Sequence, residues 1–522
     1  MGHTVSSVDN YPTLSRTIDG LEIAPGIIDD CFELYFKEYH FMLPIIAPSV
    51  TPNTFYQYAP FLFWVVVSIG SRRYSRQPTL TQALTVPVTQ LALQSTLNRS
   101  KPINRLKGLL LLLNWPFPSG SFYSDPSFLF GGILLHLAMQ CGLHAPNPSQ
   151  DFSKAYFKLP EQEPLRNAEM WAYVVTTYQR TCSGSGQPTL VSFEIYNEQE
   201  HFKTLLEKLP ATLRIQTQIS NIITRAHKRL LDLGLFSMTT QQERTMDALL
   251  QGFNTELDSL ENLASSGIDQ PRSANAGTDI YLVWDHLYVA IARQDIAIMH
   301  FYKSAATLDV QSCVLIFNAI SNVLERIRDL DRDYNLHRIC TRSLSTVASL
   351  SLASMARVLK GPFAGYLDQI GGYNLYEAGI RFLRSSSVQK GDYRERSAAC
   401  AEKIWKSKKV FRNPDGSINI TLRVRNRLSS GPLHDVVRCW KEEVFDHEYI
   451  HSAPGMDVET VIPSSATNES DETHAQNSVP GSHLSDLSAA PELLLNDELW
   501  GDFELGLSHD WDLAGSSSNW MV

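Results

Sequence analysis

The sequence predicts an all-α protein in which a large multi-helix regulatory domain is followed by a disordered acidic tail. Apolar residues recur at helical spacing through most of residues 26–450, whereas one segment, SINITLRVRNRL at 417–428, alternates in the manner of a strand. The 522 residues are 43% hydrophobic, which is enough to bury a large core. Charge marks the tail, because residues 454–522 contain 13 Asp or Glu and no Lys or Arg.

The N-terminus and the first helix come first along the chain. Residues 1–25 are polar and lack the apolar core of a signal peptide, so we expect a flexible segment there. A helix is predicted at 27–43, where Asp29 and Asp30 would lie in the first turn and interact favourably with the helix dipole. Its apolar stripe consists of Ile28, Phe32, Tyr35, Phe36 and Tyr39.

The same periodicity predicts nine further buried or amphipathic helices. Segments rich in Pro and Gly, such as NWPFPSG, LHAPNP and KGPFAGY, separate several of them. In chain order the predicted helices are 61–74, 84–97, 103–113, 127–143, 166–182, 212–233, 279–302, 310–330 and 345–359.

Cysteine usage and the lengths of the apolar runs indicate the compartment. The seven cysteines are scattered, no two are closer than 27 residues, and none forms a C-x-x-C pair. This pattern is typical of a reduced, intracellular protein. The longest apolar runs, at 61–70 and 106–115, are too short to span a bilayer, so we expect a soluble protein with no membrane partner.

His447, Glu448 and His451 spell H-E-x-x-H, the spacing that zinc peptidases use on a helix. The pattern lacks a third ligand: position 454, where a metzincin has glycine, is proline, and the position after eighteen intervening residues is Ser470. We interpret the motif as the junction between the helical domain and the acidic tail. A zinc-dependent hydrolase is kept as an alternative.

Asp29, Asp30 and Glu33 match D-D-x-x-[DE], the motif with which class I terpene synthases hold Mg²⁺ in an all-helical fold. That chemistry needs a second carboxylate set on a facing helix, and no N-D-x-x-[ST]-x-x-x-E element occurs. Helix N-terminal electrostatics explains the aspartates. No catalytic, metal-binding or cofactor-binding residue is therefore assigned, and an all-α enzyme is a remote alternative.

Four blocks in a fixed order resemble landmarks of one family: DDCFELYFKEYHFMLPII, APFLFWVVVSIGSRRY, LLHLAMQCGLHAP and WAYVVTTYQRTCSGSGQPTL. Over about 26–450 the chain resembles the middle homology region of fungal-specific transcription factors, which is the regulatory domain of fungal zinc-cluster activators. It is most similar to regulators of the yeast leucine-pathway type, whose domain ends in a stretch like 404–445. The resemblance implies a nuclear regulator whose helical domain senses a metabolite and masks or releases an activation region.

The sequence departs from that family near its start. Family members normally begin with a six-cysteine zinc cluster and a basic linker, whereas this sequence has one cysteine, Cys31, before position 141. Direct DNA binding is therefore doubtful. We expect action through a DNA-bound partner factor or a homodimer, or a gene whose first exon is absent from the sequence. A co-regulator that acts only through protein partners is the alternative.

Arg180, Ser183, Gly186 and Pro188 lie where the family has an arginine followed by a Ser/Gly/Pro loop. A helix C-terminus followed by a tight turn accounts for these four residues. A direct role for Arg180 in holding a small-molecule effector is the alternative.

Residues 453–522 form the predicted activation tail. Residues 454–490 are rich in Ser, Pro, Asn, Thr and Gly and cannot bury enough surface to fold. Beyond them, acids interleave with large apolar side chains and leave these available to the hydrophobic groove of a transcriptional coactivator. The apolar side chains are Leu499, Trp500, Phe503, Leu507 and Trp511. The alternatives are a docked C-terminal helix and an inert solubilising tail.

The predicted organisation is thus a flexible segment at 1–25, a helical regulatory domain at 26–452 and an activation tail at 453–522. The predicted function is transcriptional regulation in the fungal nucleus. The predicted partners are coactivators, a DNA-bound factor or a second copy of the chain, and a small-molecule effector.

Overall fold

A computed structural model describes residues 11–97, 102–120, 125–145, 162–190, 200–266, 278–413, 415–419 and 421–451. Within these ranges the predicted all-α class is confirmed, with seventeen helices and one short hairpin. The strands are β1 Arg16–Ile18 and β2 Leu21–Ile23. The helices are α1 Pro25–Leu34, α2 Pro52–Tyr58, α3 Pro60–Ser71, α4 Leu80–Leu97, α5 Pro102–Asn114, α6 Ser127–Gln140, α7 Gln162–Gly184, α8 Glu200–Glu207, α9 Ala211–Leu233, α10 Thr240–Ser266, α11 Thr278–Ile298, α12 Val310–Tyr334, α13 Leu336–Ile339, α14 Arg342–Leu359, α15 Gln369–Ser386, α16 Tyr393–Lys406 and α17 Gly431–His451.

Residues 16–23, within the segment predicted to be flexible, form an N-terminal hairpin. Asp19 and Gly20 both have positive φ, 47° and 76°, as a two-residue hairpin turn of type I′ requires. The Asn53 side chain of α2 holds this region: its amide donates to the Pro12 carbonyl oxygen at 2.9 Å and its oxygen accepts from the Leu14 N–H at 3.0 Å. The Asp-Gly pair between alternating apolar residues was the sequence signal that predicts such a turn.

The first predicted helix, 27–43, is present but changes its winding. Helix α1 continues into a π-helical turn at Tyr35–Tyr39 and a 3₁₀ turn at His40–Met42. Four of the five stripe residues are buried and Phe36 is half-buried. Helix α3 packs against α1 so closely that a Cβ atom on Gly70 would lie 2.0 Å from the Cys31 carbonyl oxygen. Glycine at position 70 therefore permits the contact.

Helix α14 lies at the centre of the core and packs on α5, α7, α11, α12, α15 and α16. It is buried over almost its whole length, including four of its serines: Ser345, Ser349, Ser351 and Ser354. Ser349 donates within the helix to the Ser345 carbonyl oxygen at 2.9 Å, and Ser351 donates across helices to Oε1 of Gln294 at 2.6 Å. Small side chains allow several helices to approach α14 from different sides.

The longest helix of the described chain, α10, is one that the sequence analysis missed. Its polar face is rich in Gln, Glu, Asp and Asn, so that its apolar stripe is narrow. The stripe nevertheless has helical spacing and is buried: Met246, Leu250, Phe253, Leu257, Leu260 and Ala264. Helices α2, α8, α13, α15, α16 and α17 were missed as well.

The strand candidate at 417–428 is wrong for the residues that the structure describes, where the backbone makes one isolated bridge, Arg412 with Ile418. Side chains replace the strand partner. One carboxylate oxygen of Asp435 accepts from the N–H groups of Arg423 and Val424, at 2.5 and 2.9 Å. The segment is therefore bound to helices α14 and α17 by side-chain hydrogen bonds instead of a β ladder.

A buried ion pair completes this attachment. Nη1 of Arg357, on α14, lies 2.5 Å from the second oxygen of Asp435, on α17, and the two side chains are 3% and 0% exposed. Nη2 of Arg357 donates to the Thr421 carbonyl oxygen, and the guanidinium lies 4.9 Å from the centre of the Phe411 ring. Both charges are thus compensated by several partners, as burial demands.

The compact unit of the structure ends at Trp440, and a second unit begins at Lys441. Of the second unit, the structure describes the helical backbone that completes α17 at His451. The predicted domain limits of 26 and 452 stay predictions. In the described part of the chain, no helix is both long enough and apolar enough to cross a bilayer.

The ion pair leads to a stability prediction. Replacing Arg357 by Met leaves the Asp435 carboxylate buried without its counter-charge, and we expect the free energy of unfolding to fall by about 3–5 kcal/mol. The measurement is thermal or denaturant unfolding of the purified chain. Arg384→Met is the control, because it breaks a pair with Glu402 whose side chains are 53% and 42% exposed. The control should cost less than about 1 kcal/mol, and an equal effect of both substitutions would contradict the assignment.

Candidate functional site

The Ser/Gly/Pro loop ends helix α7 in a Schellman motif. The Gln187 N–H donates to the Cys182 carbonyl oxygen at 2.9 Å, and the Gly186 N–H donates to that of Ser183 at 3.0 Å. Gly186 has φ +66°, and a Cβ atom there would lie 2.6 Å from the Arg427 carbonyl oxygen. Glycine at 186 thus serves both the turn and its close approach to the segment before α17. Pro188 is exposed.

Ser183 takes part in the same junction. Its hydroxyl accepts from Nε2 of Gln179 at 2.8 Å, and its carbonyl oxygen accepts from the Ser430 hydroxyl at 2.6 Å. Helix α7 is therefore fixed to residues 428–430, which form a 3₁₀ turn directly before α17.

Arg180, one turn before the end of α7, bridges to two other helices. Its Nη2 donates to Oε1 of Gln216 on α9 at 3.0 Å. The guanidinium lies over the ring of Tyr288 on α11, 4.3 Å from the ring centre. The side chain is half-buried and forms part of a cavity wall. The position of Arg180 is compatible with both interpretations of the sequence. Its contacts with α9 and α11 fit a structural role at the helix end, and its place in the cavity wall fits a role in holding an effector.

Two neighbouring cavities share Trp284 and Tyr288 as wall residues. One has a volume of about 350 Å³ and is lined largely by aromatic and apolar side chains, among them Phe41, Met42, Tyr173 and Leu213. The other has a volume of about 70 Å³ and lies between α7, α9, α11, α14 and the 428–430 turn. Together they fall in the size range of small-molecule sites.

Asp295 is the unusual group in the smaller cavity. It stands on the same face of α11 as Trp284 and Tyr288, is 8% exposed, and makes no hydrogen bond or ion pair within the described residues. Burial raises the pKa of Asp295 from 3.8 to about 7, and no neighbouring cation offsets this effect. A buried ionisable group without a partner in a cavity is typical of a functional site.

The hydroxyl groups that line the cavity with Asp295 have hydrogen-bond partners within the protein, unlike the Asp295 carboxyl. The Thr346 hydroxyl donates to the Arg342 carbonyl oxygen at 3.1 Å. The Ser429 hydroxyl lies 3.2 Å from Nε2 of His227, and burial lowers the pKa of this histidine to about 4, which keeps it neutral at pH 7. Among the described residues that line the cavity, the carboxyl of Asp295 and the indole N–H of Trp284 therefore stand out, because neither has a hydrogen-bond partner.

Sequence reasoning missed Asp295, Trp284 and Tyr288. The signal was present, because Trp284, Tyr288, Ile291 and Asp295 fall at i, i+4, i+7 and i+11 and so place one acid on an apolar helix face. Of the predicted loop residues, the structure brings Arg180 and Ser183 to the cavity, keeps Gly186 in the turn and leaves Pro188 at the surface. The predicted activation residues of the tail lie outside the described residues.

The two motifs that resemble enzyme sites, D-D-x-x-[DE] and H-E-x-x-H, contribute no described side chain to either cavity. The Asp29 carboxylate accepts from the Thr13 hydroxyl at 2.5 Å, and that of Asp30 accepts from the Tyr74 hydroxyl at 2.8 Å and from Arg76 at 2.7 Å. The H-E-x-x-H segment closes α17 at His451, and its side chains lie outside the described part of the structure. Among the described residues, no three His, Cys, Asp or Glu side chains cluster as a metal site would require.

Comparison with known proteins relates the chain to fungal regulators. It is 21% identical over 491 residues to the regulatory protein LEU3 of Saccharomyces cerevisiae, which covers 84% of this chain and 54% of that protein. It is 29% identical over 157 residues to the transcriptional regulatory protein SEF1 of Candida albicans, which covers 30% of this chain and 17% of that protein. No protein-family model matches the chain, and no solved structure does.

These similarities confirm the resemblance that the sequence blocks indicate. The relatives are transcriptional regulators by name and not enzymes, and the similarity is consistent with a fungal transcription factor regulatory region. The chain spans about half the length of the first of these relatives.

The turn at Gly186 gives a prediction with a matched control. Gly186→Ala places a Cβ atom against the Arg427 backbone at positive φ, and we expect a loss of about 2 kcal/mol in the free energy of unfolding. Gly142→Ala meets the same backbone strain, with φ +74°, but an open environment, and should cost about 1 kcal/mol. Equal losses in denaturant unfolding would argue against the close approach.

Asp295 makes the stability of the domain depend on pH. Its pKa is raised on folding, so the folded chain holds a proton that the unfolded chain releases, and the resulting cost grows as pH rises from about 4 to 7. Asp295→Asn removes this cost. We therefore expect the difference in free energy of unfolding between the variant and the parent protein to rise by about 2 kcal/mol in favour of the variant as pH increases from 5 to 8. Denaturant unfolding at several pH values measures this difference. Glu325→Gln, at an exposed carboxylate, should show no such gain.

Proposed function

We propose that the chain is a nuclear transcriptional regulator whose helical domain responds to a small-molecule effector and whose acidic tail recruits coactivators. The observation that carries the proposal is the cavity at Arg180 and Asp295, which lies inside a domain that is similar to fungal regulators over most of this chain. The proposal assigns promoter contact to a DNA-bound partner factor or to a homodimer.

The cavity is a suitable effector site because its walls come from segments far apart in the sequence. Helices α7, α9, α11 and α14 and the 428–430 turn each contribute side chains. A ligand that fits the cavity stabilises the arrangement in which these segments are in place. Binding energy is thus available to favour one conformation of the domain over another.

A path from the cavity toward the tail follows from the chain itself. Ser429 and Ser430 line the cavity and directly precede α17, which begins at Gly431 and ends at His451. The acidic tail begins two residues after that helix. We propose that occupancy of the cavity biases the start of α17 and so governs access to the tail.

The tail supplies the output in this proposal. Residues 454–522 contain 13 acids and no Lys or Arg, and among these acids Trp500, Phe503 and Trp511 provide the large apolar side chains that a partner groove would bind. A coactivator that binds the tail would bury these aromatic side chains, since aromatic residues dominate binding energy at interfaces.

The activation proposal is tested with a reporter. Residues 453–522, fused to a heterologous DNA-binding domain, should activate transcription, and Trp500→Ala with Phe503→Ala should lower the activity about tenfold through the loss of two aromatic anchors. The control is Leu484→Ala with Leu487→Ala, which removes apolar side chains of the same tail outside the aromatic segment. A fusion that does not activate, or equal losses in both variants at equal protein level, would refute the activation role.

A further inference from the structure

Arg180 and Asp295 bring opposite charges to one cavity without pairing with each other. Both line the smaller cavity, yet within the described residues neither takes part in an ion pair. Two uncompensated charges of opposite sign in one site complement a ligand that itself carries both signs.

Arg180 retains hydrogen-bonding capacity for such a ligand. One of its five N–H groups donates to Gln216, and its face stacks on Tyr288. Its other N–H groups make no hydrogen bond to the part of the chain that the structure describes. A guanidinium held flat on an aromatic ring is pre-oriented to bind a carboxylate with its free edge.

Asp295 supplies the opposite end. It is 92% buried, its hydroxyl-bearing neighbours are satisfied by the protein, and it faces the cavity. An ionised aspartate accepts hydrogen bonds only, so its natural ligand group is a cationic donor such as an ammonium. Such a group would also provide the counter-charge that the protein lacks at this point.

The remaining walls favour a short aliphatic body. Ile219, Ile223, Leu287, Ile291 and Val347 line the space around the two charged groups. The volume of about 70 Å³, next to the cavity of about 350 Å³ with which it shares Trp284 and Tyr288, favours a small ligand.

The rise of α11 between Tyr288 and Asp295 gives a first estimate of the length of the ligand. Arg180 lies over Tyr288, and Asp295 follows seven residues later, or about 10 Å along the helix axis. Two hydrogen bonds of roughly 2.8 Å leave about 5 Å between the charged ends of the ligand. This separation fits an amino group and a carboxylate on the two ends of a three-carbon chain.

We propose that the cavity binds a short aliphatic amino acid as a zwitterion, with its ammonium group on Asp295 and its carboxylate on Arg180. The inference rests on the proposed function, because it gives the chemical class of the effector for the site assigned there.

Calorimetric titration of the purified full chain with four compounds tests the proposal. β-Alanine and alanine are isomeric three-carbon amino acids, whereas propionate lacks the amino group of both and ethylamine lacks the carboxylate of both. We expect β-alanine to bind at least tenfold more tightly than propionate and ethylamine, because each of these leaves one of the two charged side chains, Asp295 or Arg180, without a counter-charge. Tenfold tighter binding of alanine instead would support the zwitterion with a shorter spacing. Propionate or ethylamine binding as tightly as both amino acids, or no binding of either amino acid, would overturn the proposal.

Two substitutions assign the ends of the ligand. Asp295→Asn should weaken β-alanine binding at least tenfold and leave propionate binding unchanged, whereas Arg180→Gln should weaken β-alanine and leave ethylamine unchanged. A merely structural role would weaken all compounds together. Glu325→Gln is the matched control and should bind as the parent protein does. If a variant fails to fold, the titrations of the parent protein with the four compounds still test whether the cavity binds a zwitterion.

The outcomes separate this inference from the proposed function. If no amino acid binds while the tail still activates the reporter, the ligand class is wrong and the regulator proposal stands. If β-alanine binds but changes neither activation by the full chain nor its nuclear location, the site is supported and its effector role is wrong.

Discussion

The buried ion pair between Arg357 and Asp435 is the interaction on which the arrangement of this domain depends. It joins the central helix α14 to α17 and, through the second oxygen of Asp435, holds the backbone at Arg423 and Val424. The segment thus fixed leads to Ser429 and Ser430, which close one side of the cavity. If Arg357 and Asp435 did not pair, each charge would be buried without a counter-charge, and the segment that carries Ser429 and Ser430 would lose its attachment to the core.

The cavity itself is made by helices that meet at the end of α7. A glycine at 186 lets the chain turn there and approach Arg427, and Arg180 then reaches both α9 and α11. Arg180 stacks on Tyr288 and forms no ion pair with Asp295 within the described residues, although both side chains line one cavity. A direct Arg–Asp pair would have satisfied both charges, and its absence within the described residues leaves each of them open to a ligand.

Stability and the proposed ligand binding oppose each other at Asp295. Its burial raises its pKa to about 7 and costs stability at neutral pH, whereas an asparagine or a leucine there would fold more easily. Proteins retain such unfavourable groups at sites that act on other molecules. A ligand that pairs with Asp295 would recover this energy only in the folded arrangement, and that difference is what a regulatory domain needs to shift between conformations.

The sequence by itself determined the all-α class, ten of the helices, the resemblance to fungal regulators and the acidic tail, because periodicity, ordered blocks and charge are properties of the linear chain. It could not determine that 417–428 is held by Asp435 instead of a strand partner, since that carboxylate reaches it only in the folded chain. The polar sequence of α10 hid its narrow apolar stripe. Arg180 could be recognised from its loop. The cavity that it lines, its contact with the Tyr288 ring and the lack of a counter-charge for Asp295 depend on tertiary structure. The reason is that packing between α7, α9 and α11 alone sets which charges meet and which are left unpaired.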